Sequence, residues 1–317
     1  MSVRLAQLQR LKLSRHPRAQ SFLAHTFLRA TYTIPRRTEI VLEGLENVPR
    51  DRTVFFAMNH TDRYNYWPFQ WGLWKRGYRF TATWVKGKYF ENPWMSRFMI
   101  ATNNIPLPSR GYVIATQFRD EIGRAPTAPE YRVLRDLADG VASTSGDGGA
   151  DVVRFVAGGG LVRFEEAFNA MIGEVTRLTR SALEELGHDV LVFPEGTRSL
   201  RLQKGHTGLA QMTQHLGATI IPVGCNGSDK LYPGGSPWSK GGRVVYRLGP
   251  PMPVDGAELG EFRVRAPFQP LSLAASRAHG DAFRAITDRV MSRIESLLDE
   301  PYRPGEAAVT RDMDRLL

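Results

Sequence analysis

The sequence contains a single cysteine, Cys225, among its 317 residues. One cysteine excludes an intramolecular disulfide framework and any zinc or iron–sulfur site that needs several thiolates. It is also typical of a reducing compartment. The seven histidines show no paired spacing of the kind that metal sites use, so we predict no bound metal.

Long apolar runs are absent as well. The best run, Val54–Met58, has five residues, whereas a transmembrane helix needs about 18 or more. The N-terminus lacks the apolar stretch of a signal peptide. We therefore expect a soluble or peripheral protein on the cytoplasmic side.

Several enzyme signatures are missing too. There is no Gly-x-Ser-x-Gly elbow, no Walker A loop, no His-Glu-x-x-His and no Gly-x-Gly-x-x-Gly following a strand. The sequence therefore gives no support to serine hydrolases of the elbow type, P-loop nucleotidases, zinc metalloproteases or dinucleotide-dependent enzymes.

Positive charge is abundant and unevenly placed. The formal net charge is +10, and the ranges 1–40 and 63–110 each carry +7, whereas 111–150 carries −2. The positive field therefore belongs to the first third of the chain. It favours a partner with many negative charges, namely nucleic acid, an anionic bilayer or a phosphorylated substrate.

Residues 1–38 are predicted to form basic amphipathic helices on either side of His16-Pro17. Leu5, Leu8 and Leu11 recur near helical spacing, with basic residues between them. A helix of this kind can lie in a membrane interface or pack on its own domain, and the pattern alone is compatible with both.

Strand and helix patterns alternate through residues 39–300. This alternation predicts an α/β fold with a mixed sheet flanked by helices, preceded by the N-terminal amphipathic segment. A glycine-rich stretch at about 117–160 interrupts the pattern and is interpreted as an insertion of flexible turns. Residues 301–317 are interpreted as a charged, solvated C-terminal tail.

Two polar runs directly follow predicted buried strands, where α/β folds build their sites. His60 lies in the first, between polar neighbours that include Asp62 and Asn65. The second, Phe193–Ser199, reads Phe-Pro-Glu-Gly-Thr-Arg-Ser and can hold an anion through its arginine and backbone N–H groups. Each run also has a plain structural interpretation, as a helix start and an ordinary turn.

Together the runs resemble the glycerolipid acyltransferases, the PlsC-like superfamily that includes lysophosphatidic acid acyltransferase. Four blocks occur in the family's order: Asn59-His60, Asn104–Arg110, Phe193–Ser199 and Ile221-Pro222-Val223. The stretch Trp84–Phe90 followed by Pro93, and Lys204-Gly205 followed by Ala210, also resemble family features.

The resemblance implies an O-acyltransferase of phospholipid biosynthesis. It would move a fatty acyl group from acyl-CoA or acyl carrier protein to a hydroxyl of a lysophospholipid or glycerol-phosphate-type acceptor. No cofactor is implied. His60 would be the general base, oriented by Asn65 or Asp62. The implied substrate-binding residues are Arg110, Glu195, Gly196, Thr197, Arg198 and Lys86.

Two departures from the family pattern leave alternatives open. Asn65 stands where the family has an aspartate, and 83 positions separate Arg110 from Phe193, more than is usual. The alternatives are an acyltransferase of the same fold with a non-glycerolipid acceptor, and an idle relative that binds lipid or acyl carrier without turnover. A nucleic-acid partner is not expected, because no recognised nucleic-acid motif is present. Because a lipid acceptor resides in a bilayer, the resemblance favours the interpretation of residues 1–33 as a peripheral membrane anchor.

Overall fold

The computed structural model describes residues 5–141 and 148–305. The strands are β1 (Thr38–Glu43), β2 (Val54–Met58), β3 (Thr81–Lys86), β4 (Asn104–Leu107), β5 (Asp189–Val192), β6 (Thr219–Asn226), β7 (Gly242–Leu248) and β8 (Met252–Pro253). The helices are α1 (Leu5–Arg10), α2 (Arg18–Leu23), α3 (Arg29–Thr31), α4 (Tyr66–Lys75), α5 (Pro93–Ala101), α6 (Arg110–Ile122), α7 (Ala128–Ala138), α8 (Gly149–Ala157), α9 (Gly160–Arg180), α10 (Gly208–Leu216), α11 (Ser228–Leu231) and α12 (Leu273–Ser296).

The strands form one mixed sheet, which confirms the predicted α/β class. Within the described residues the order is β1-β7-β6-β2-β5-β3-β4, and β8 pairs with β6. The pairs joining β6, β2, β5, β3 and β4 are parallel, whereas β7 and β8 run antiparallel to β6. Strands β2, β5 and β6 are buried along their whole length, which explains their continuous apolar or β-forming sequences.

The predicted insertion is helical rather than a series of turns. The range 117–160 contains the end of α6 together with α7 and α8, and α9 begins at its last residue. Helix α7 is fixed by a capping box, in which Thr127 and Glu130 exchange hydrogen bonds with each other's backbone. Residues 142–147, which include part of the predicted turn, lie outside the described ranges.

The N-terminal segment packs on the domain. Leu8 and Leu11 are buried in the main hydrophobic core, and α1 contacts α9. The apolar stripe of α1 therefore faces protein, and the prediction that it serves as a membrane anchor is wrong for these leucines. The basic side chains of Arg10, Lys12 and Arg15 remain exposed.

The predicted C-terminal tail begins later than residue 301. Tyr302 is buried, its hydroxyl donates to Asp229 Oδ1 at 2.8 Å, and its carbonyl accepts from the Leu202 backbone N–H at 2.8 Å. Residues 300–303 thus belong to the folded domain. Residues 306–317, which make up most of the predicted tail, lie outside the described part of the chain.

A buried carboxyl group lies at the start of β5. Asp189 Oδ1 accepts the Val54 backbone N–H at 2.9 Å, while Oδ2 is buried without a partner among the described residues. Burial raises the pKa of Asp189 to about 7, against the opposing effects of the Val54 N–H and of Arg79. The native state therefore holds a proton on Asp189 between about pH 4 and pH 7, where the unfolded state does not.

Because of this proton, Asp189 makes the free energy of unfolding fall as pH rises from about 4 to 7. We expect Asp189→Asn, which keeps the Oδ1 acceptor and removes the charge, to flatten that fall and to raise the melting temperature most above pH 7. Thermal unfolding from pH 4 to 8 measures it. The exposed Asp281→Asn is the control. An Asp189→Asn profile parallel to the wild type would contradict the assignment.

Candidate active site

Three neighbouring parallel strands end at the same edge of the sheet. His60 follows β2, the run Phe193–Ser199 follows β5, and Lys86 is the last residue of β3. Strand β5 pairs with both β2 and β3, so these three segments leave the sheet side by side. The topology thereby brings together residues that lie far apart in sequence.

The imidazole of His60 is oriented by Asn65. His60 Nδ1 lies 3.1 Å from Asn65 Oδ1, and Asn65 Nδ2 donates to the Asn59 carbonyl at 2.8 Å. The second bond settles which way the Asn65 amide points, so Oδ1 accepts and Nδ1 of His60 carries the proton. Nε2 is then the unprotonated nitrogen, and it has no hydrogen-bond partner among the described residues. The Tyr246 hydroxyl donates to the main-chain carbonyl of Asn65 at 2.6 Å, and this bond further fixes the position of Asn65.

Asn59 connects the histidine loop to the neighbouring strand β6. Its Oδ1 accepts the Cys225 backbone N–H at 2.7 Å, and its Nδ2 donates to the Cys225 carbonyl at 3.1 Å. Asn59 is buried, so this pair of bonds satisfies both ends of its amide. The Cys225 thiol is buried, and burial raises its pKa far above the usual range, which removes it as a nucleophile.

Asp62 does not orient His60, which corrects the second sequence hypothesis for this role. Its Oδ1 accepts the Tyr64 backbone N–H at 2.8 Å, and its Oδ2 accepts the Thr61 hydroxyl at 3.0 Å. These bonds close a turn within the loop. Although Asp62 follows His60 by only two residues, its carboxylate does not reach the His60 ring, because it is bonded to Thr61 and Tyr64 of the same loop.

His60 is neutral at physiological pH. Burial lowers its pKa to about 4, the hydrogen bond to Asn65 opposes that shift, and the positive charges of Arg198 and Lys86 add to it. A neutral imidazole with a free Nε2 can accept a proton. The ring also stacks on Phe193, with centroids 4.0 Å apart at 17°. This contact was not predicted, because the sequence gives no sign that the first residue of the Phe193–Ser199 run faces the histidine.

Glu195 links the two loops and makes no contact suited to a substrate. One carboxylate oxygen accepts the His60 backbone N–H at 2.7 Å, and the other accepts the Gln203 backbone N–H at 2.9 Å. The side chain is fully buried, and burial raises its pKa to about 7. The predicted substrate-binding role is corrected to a positioning role. The Ser199 backbone N–H, which donates to the His60 carbonyl at 2.9 Å, adds a second link.

The exposed part of the site is cationic. The side chains of Arg198 and Lys86 are exposed, and neither forms an ion pair with a described carboxylate. Both lie close enough to lower the pKa of His60. Gly196 has φ +64°, and a Cβ there would lie 3.0 Å from the His206 ring, so this turn requires glycine. Thr197 is partly exposed between Gly196 and Arg198.

Arg110 is held by acidic groups of the helices that follow it. Its guanidinium bonds to Asp139 at 3.3 Å and to Glu165, and it lies over the Phe164 and Phe168 rings. It is 6% exposed. The expectation that Arg110 binds the acceptor is not met in this structure, because both of its charged partners are supplied by the chain. Asp139 and Glu165 follow Arg110 by 29 and 55 positions in the sequence. No sequence motif connects them with Arg110, so the ion pairs could not be predicted.

An apolar cleft that is open to solvent lies near the histidine loop. Tyr66 lines it and also contacts Phe193, with ring centroids 6.2 Å apart, and Phe193 in turn stacks on His60, so two rings separate the cleft from His60. The cleft lies between the N-terminal helices and the helices α4 and α5. Its apolar lining includes Leu23, Phe27, Trp67, Trp71, Trp74 and Phe98. Most of this aromatic lining comes from the Trp-rich α4, which the sequence placed directly after the histidine loop.

No helix among residues 5–141 and 148–305 is both long enough and apolar enough to cross a bilayer. The same residues contain no cluster of histidine, cysteine and acidic side chains that could hold a metal ion.

Residues 152–226 match the family model of the acyltransferases. The match contains the third and fourth sequence blocks and supports the resemblance predicted from the sequence. It begins after His60, so it does not bear on the base. No curated protein sequence matches the chain. A crystal structure of the 1-acyl-sn-glycerophosphate (LPA) acyltransferase PlsC from Thermotoga maritima is similar at 16% identity and a TM-score of 0.45, covering 88% of this chain and 79% of that one.

Proposed function

We propose that this protein transfers a fatty acyl group from an acyl thioester, on coenzyme A or acyl carrier protein, to a hydroxyl of a lysophospholipid or glycerol-phosphate-type acceptor. One observation carries the proposal. His60 presents an unprotonated Nε2, fixed by Asn65, close to the exposed cations Arg198 and Lys86 and within two aromatic rings of an apolar cleft. A base, an anion site and an apolar channel are what acyl transfer between amphiphilic anions requires.

The reaction then proceeds by direct attack. Nε2 of His60 takes the proton of the acceptor hydroxyl as its oxygen attacks the thioester carbonyl carbon. A carbon–oxygen bond forms and the carbon–sulfur bond breaks. The departing thiolate receives the proton back from His60. Asn65 stabilises the imidazolium through its carbonyl oxygen, although it contributes no charge.

The cations bind the anionic part of a substrate. Arg198 suits a phosphate because its planar guanidinium offers paired donors, and Lys86 adds a point charge from the neighbouring strand. The aromatic and aliphatic lining of the cleft suits an alkyl chain. Arg198 and Lys86 would hold the phosphate of a substrate, and its alkyl chain would enter the cleft that Tyr66 lines.

The deciding experiment measures acyl release from acyl-CoA and from acyl carrier protein, each with and without lysophosphatidic acid. We expect release that depends on the acceptor, with an acylated product. Release without an acceptor would indicate a thioesterase. No release with any donor and acceptor would indicate an idle relative and would contradict the proposal.

A non-glycerolipid acceptor is the second candidate, and Arg110 favours it. Its guanidinium is already engaged by Asp139 and Glu165, so one of the two arginines expected at the acceptor is occupied. An acceptor with less negative charge than a phosphate monoester would need fewer cations. The same assay, run with neutral and amine-bearing hydroxyl acceptors beside lysophosphatidic acid, ranks the two classes by kcat/KM.

If Arg198 holds the acceptor, Arg198→Ala should raise the KM of the acceptor by about tenfold or more, with a smaller effect on the donor KM. Initial rates at varied concentrations of each substrate separate the two constants. Arg201→Ala, an exposed arginine three residues along, is the matched control. A rise confined to the donor KM would move Arg198 to the phosphates of the acyl carrier instead.

Membrane association belongs to the same proposal, since a lipid acceptor resides in a bilayer. Most basic residues of the two ranges that each carry +7 are exposed and can contribute to such binding, whereas Arg110 is buried and cannot. Cations near an anionic surface contribute about 1 kcal/mol each. Deleting residues 1–33 cannot test this, because Leu8 and Leu11 belong to the core and their loss would unfold the domain.

A further inference from the structure

Four apolar side chains are exposed where α2 meets α5, and we call them the α5 patch: Phe22, Trp94, Met95 and Phe98. Trp94 is 77% exposed and Phe22 67%, the two largest values among the exposed large hydrophobic residues of the described chain. Helices α2 and α5 pack against each other, so the patch residues lie on two adjoining helices. Large aromatic residues grouped in this way mark an interaction surface.

Helix α5 is fixed at its N-terminus and along its buried face, and this keeps its patch residues exposed. The Asn92 side chain caps α5 by accepting the backbone N–H groups of Trp94 and Met95. On the opposite face of α5, Ser96 and Met99 are buried, and Ser96 accepts a hydrogen bond from Gln7 at 3.1 Å. The exposure of Trp94 and Met95 is therefore built into the packing of the helix.

Basic residues lie next to the α5 patch. Arg97 lies 5.4 Å above the Trp94 ring, and Lys88 and Arg18 are exposed on the adjoining segments. Within residues 63–110 the only acidic residue is Glu91. A surface of tryptophan, phenylalanine and methionine with arginine and lysine at its border is complementary to an anionic lipid interface.

We infer that the α5 patch inserts into an anionic membrane surface and that its basic border contacts the lipid headgroups. The inference rests on the proposed lipid acceptor and identifies the surface that delivers it. Phe98 belongs to the patch and also lines the apolar cleft, and Leu23, which follows the patch residue Phe22 in α2, lines the same cleft. A lipid held at the patch is therefore already at the entrance of the cleft. An acidic protein or a second copy of the chain would have to match the same surface, but neither would account for its continuity with the cleft.

The test uses the full chain with Phe22, Trp94 and Met95 all changed to serine, since these three do not line the cleft. Co-sedimentation with phosphatidylcholine vesicles containing about one quarter phosphatidylglycerol measures binding. We expect the affinity to fall by at least about tenfold, because the apolar part of interfacial binding scales with buried apolar area. High salt should weaken wild-type binding only in part, because insertion is not screened.

The matched control changes Val153 and Val162 to serine, which are exposed apolar residues of α8 and α9 and should leave vesicle binding unchanged. Wild-type vesicle binding by the triple variant would overturn the inference. So would normal vesicle binding with lost affinity for acyl carrier protein, or a changed sedimentation coefficient that reveals a dimer.

Assays with water-soluble short-chain donor and acceptor, without vesicles, separate the two proposals. The triple variant should turn over these substrates like the wild type if acyl transfer is correct and only the membrane contact is lost. If the wild type binds vesicles through the α5 patch but transfers no acyl group, the proposed function fails while the surface assignment stands.

Discussion

Replacing His60 with alanine should lower kcat for acyl transfer by about 10²-fold or more without unfolding the protein. The loss follows from the geometry, since His60 Nε2 is the free, unprotonated nitrogen at the convergence of the three strand ends. The ring is partly exposed, and its main packing contact is Phe193, so the cost in stability should be small. Steady-state kinetics and a thermal melt of the same preparation measure both effects.

His215→Ala is the matched control for this substitution. His215 is also partly exposed, is also bonded through Nδ1, in its case to the Phe268 carbonyl, and also has a pKa lowered by burial. It lies on α10, outside the candidate site. His60→Ala with wild-type turnover would remove His60 from the mechanism.

The pH profile provides an independent check. Because burial lowers the pKa of His60 to about 4, kcat/KM should stay level down to about pH 5 and fall as the pH drops through 4. Removing a nearby cation in Arg198→Ala should move this acid limb upward, since a positive neighbour disfavours the imidazolium. An acid limb near the ordinary histidine value of about 6.5 would mean that a different group titrates.

Replacing Asn65 with leucine should lower kcat for acyl transfer by about 10²-fold or more, and this is the second large effect that we expect. Leucine has a similar size but cannot accept the Nδ1 proton, so the ring loses both its orientation and its fixed tautomer. In serine proteases, a change that disturbs the corresponding tautomer costs about 10⁴-fold. Turnover by Asn65→Leu equal to the wild type would show that the bond to His60 is incidental.

Asn65→Asp tests the same bond from the other side. The aspartate retains the acceptor and adds a negative charge, so it should raise the pKa of His60 and shift the acid limb of kcat/KM toward neutral pH. It also loses the donor to the Asn59 carbonyl, which should lower the melting temperature. Asp62→Asn is the control. Because the Asp62 carboxylate bonds to Thr61 and Tyr64, its loss should leave the acid limb in place.

The parts of this molecule that could be predicted are those determined by local sequence. Strands β2, β5 and β6 are continuous buried runs, and each strand of the candidate site precedes a recognisable polar block. The His60–Asn65 contact could be anticipated because the family resemblance places Asn65 at the position that orients the histidine. Orientation within the histidine loop could not, which is why Asp62 remained an open alternative.

Long-range contacts account for what was missed. The amphipathic pattern of Leu5, Leu8 and Leu11 reads the same whether it faces a bilayer or the core, and only the position of α9 decides it. Arg110 looked available for substrate because its carboxylate partners, Asp139 and Glu165, are distant in sequence and no local pattern indicates the pairing. The exposure of Trp94 depends on how α5 packs on α1 and α2, which no local pattern records.

The bridge through Glu195 bears on which sequence changes the site tolerates. Its partners at His60 and Gln203 are main-chain N–H groups, so the bridge does not depend on the side chain at position 203. Any residue there except proline would preserve it. Glu195 itself has no such freedom, because Asp at this position is one methylene too short to span both loops. Among related sequences, substitutions should therefore be common at position 203 and absent at position 195.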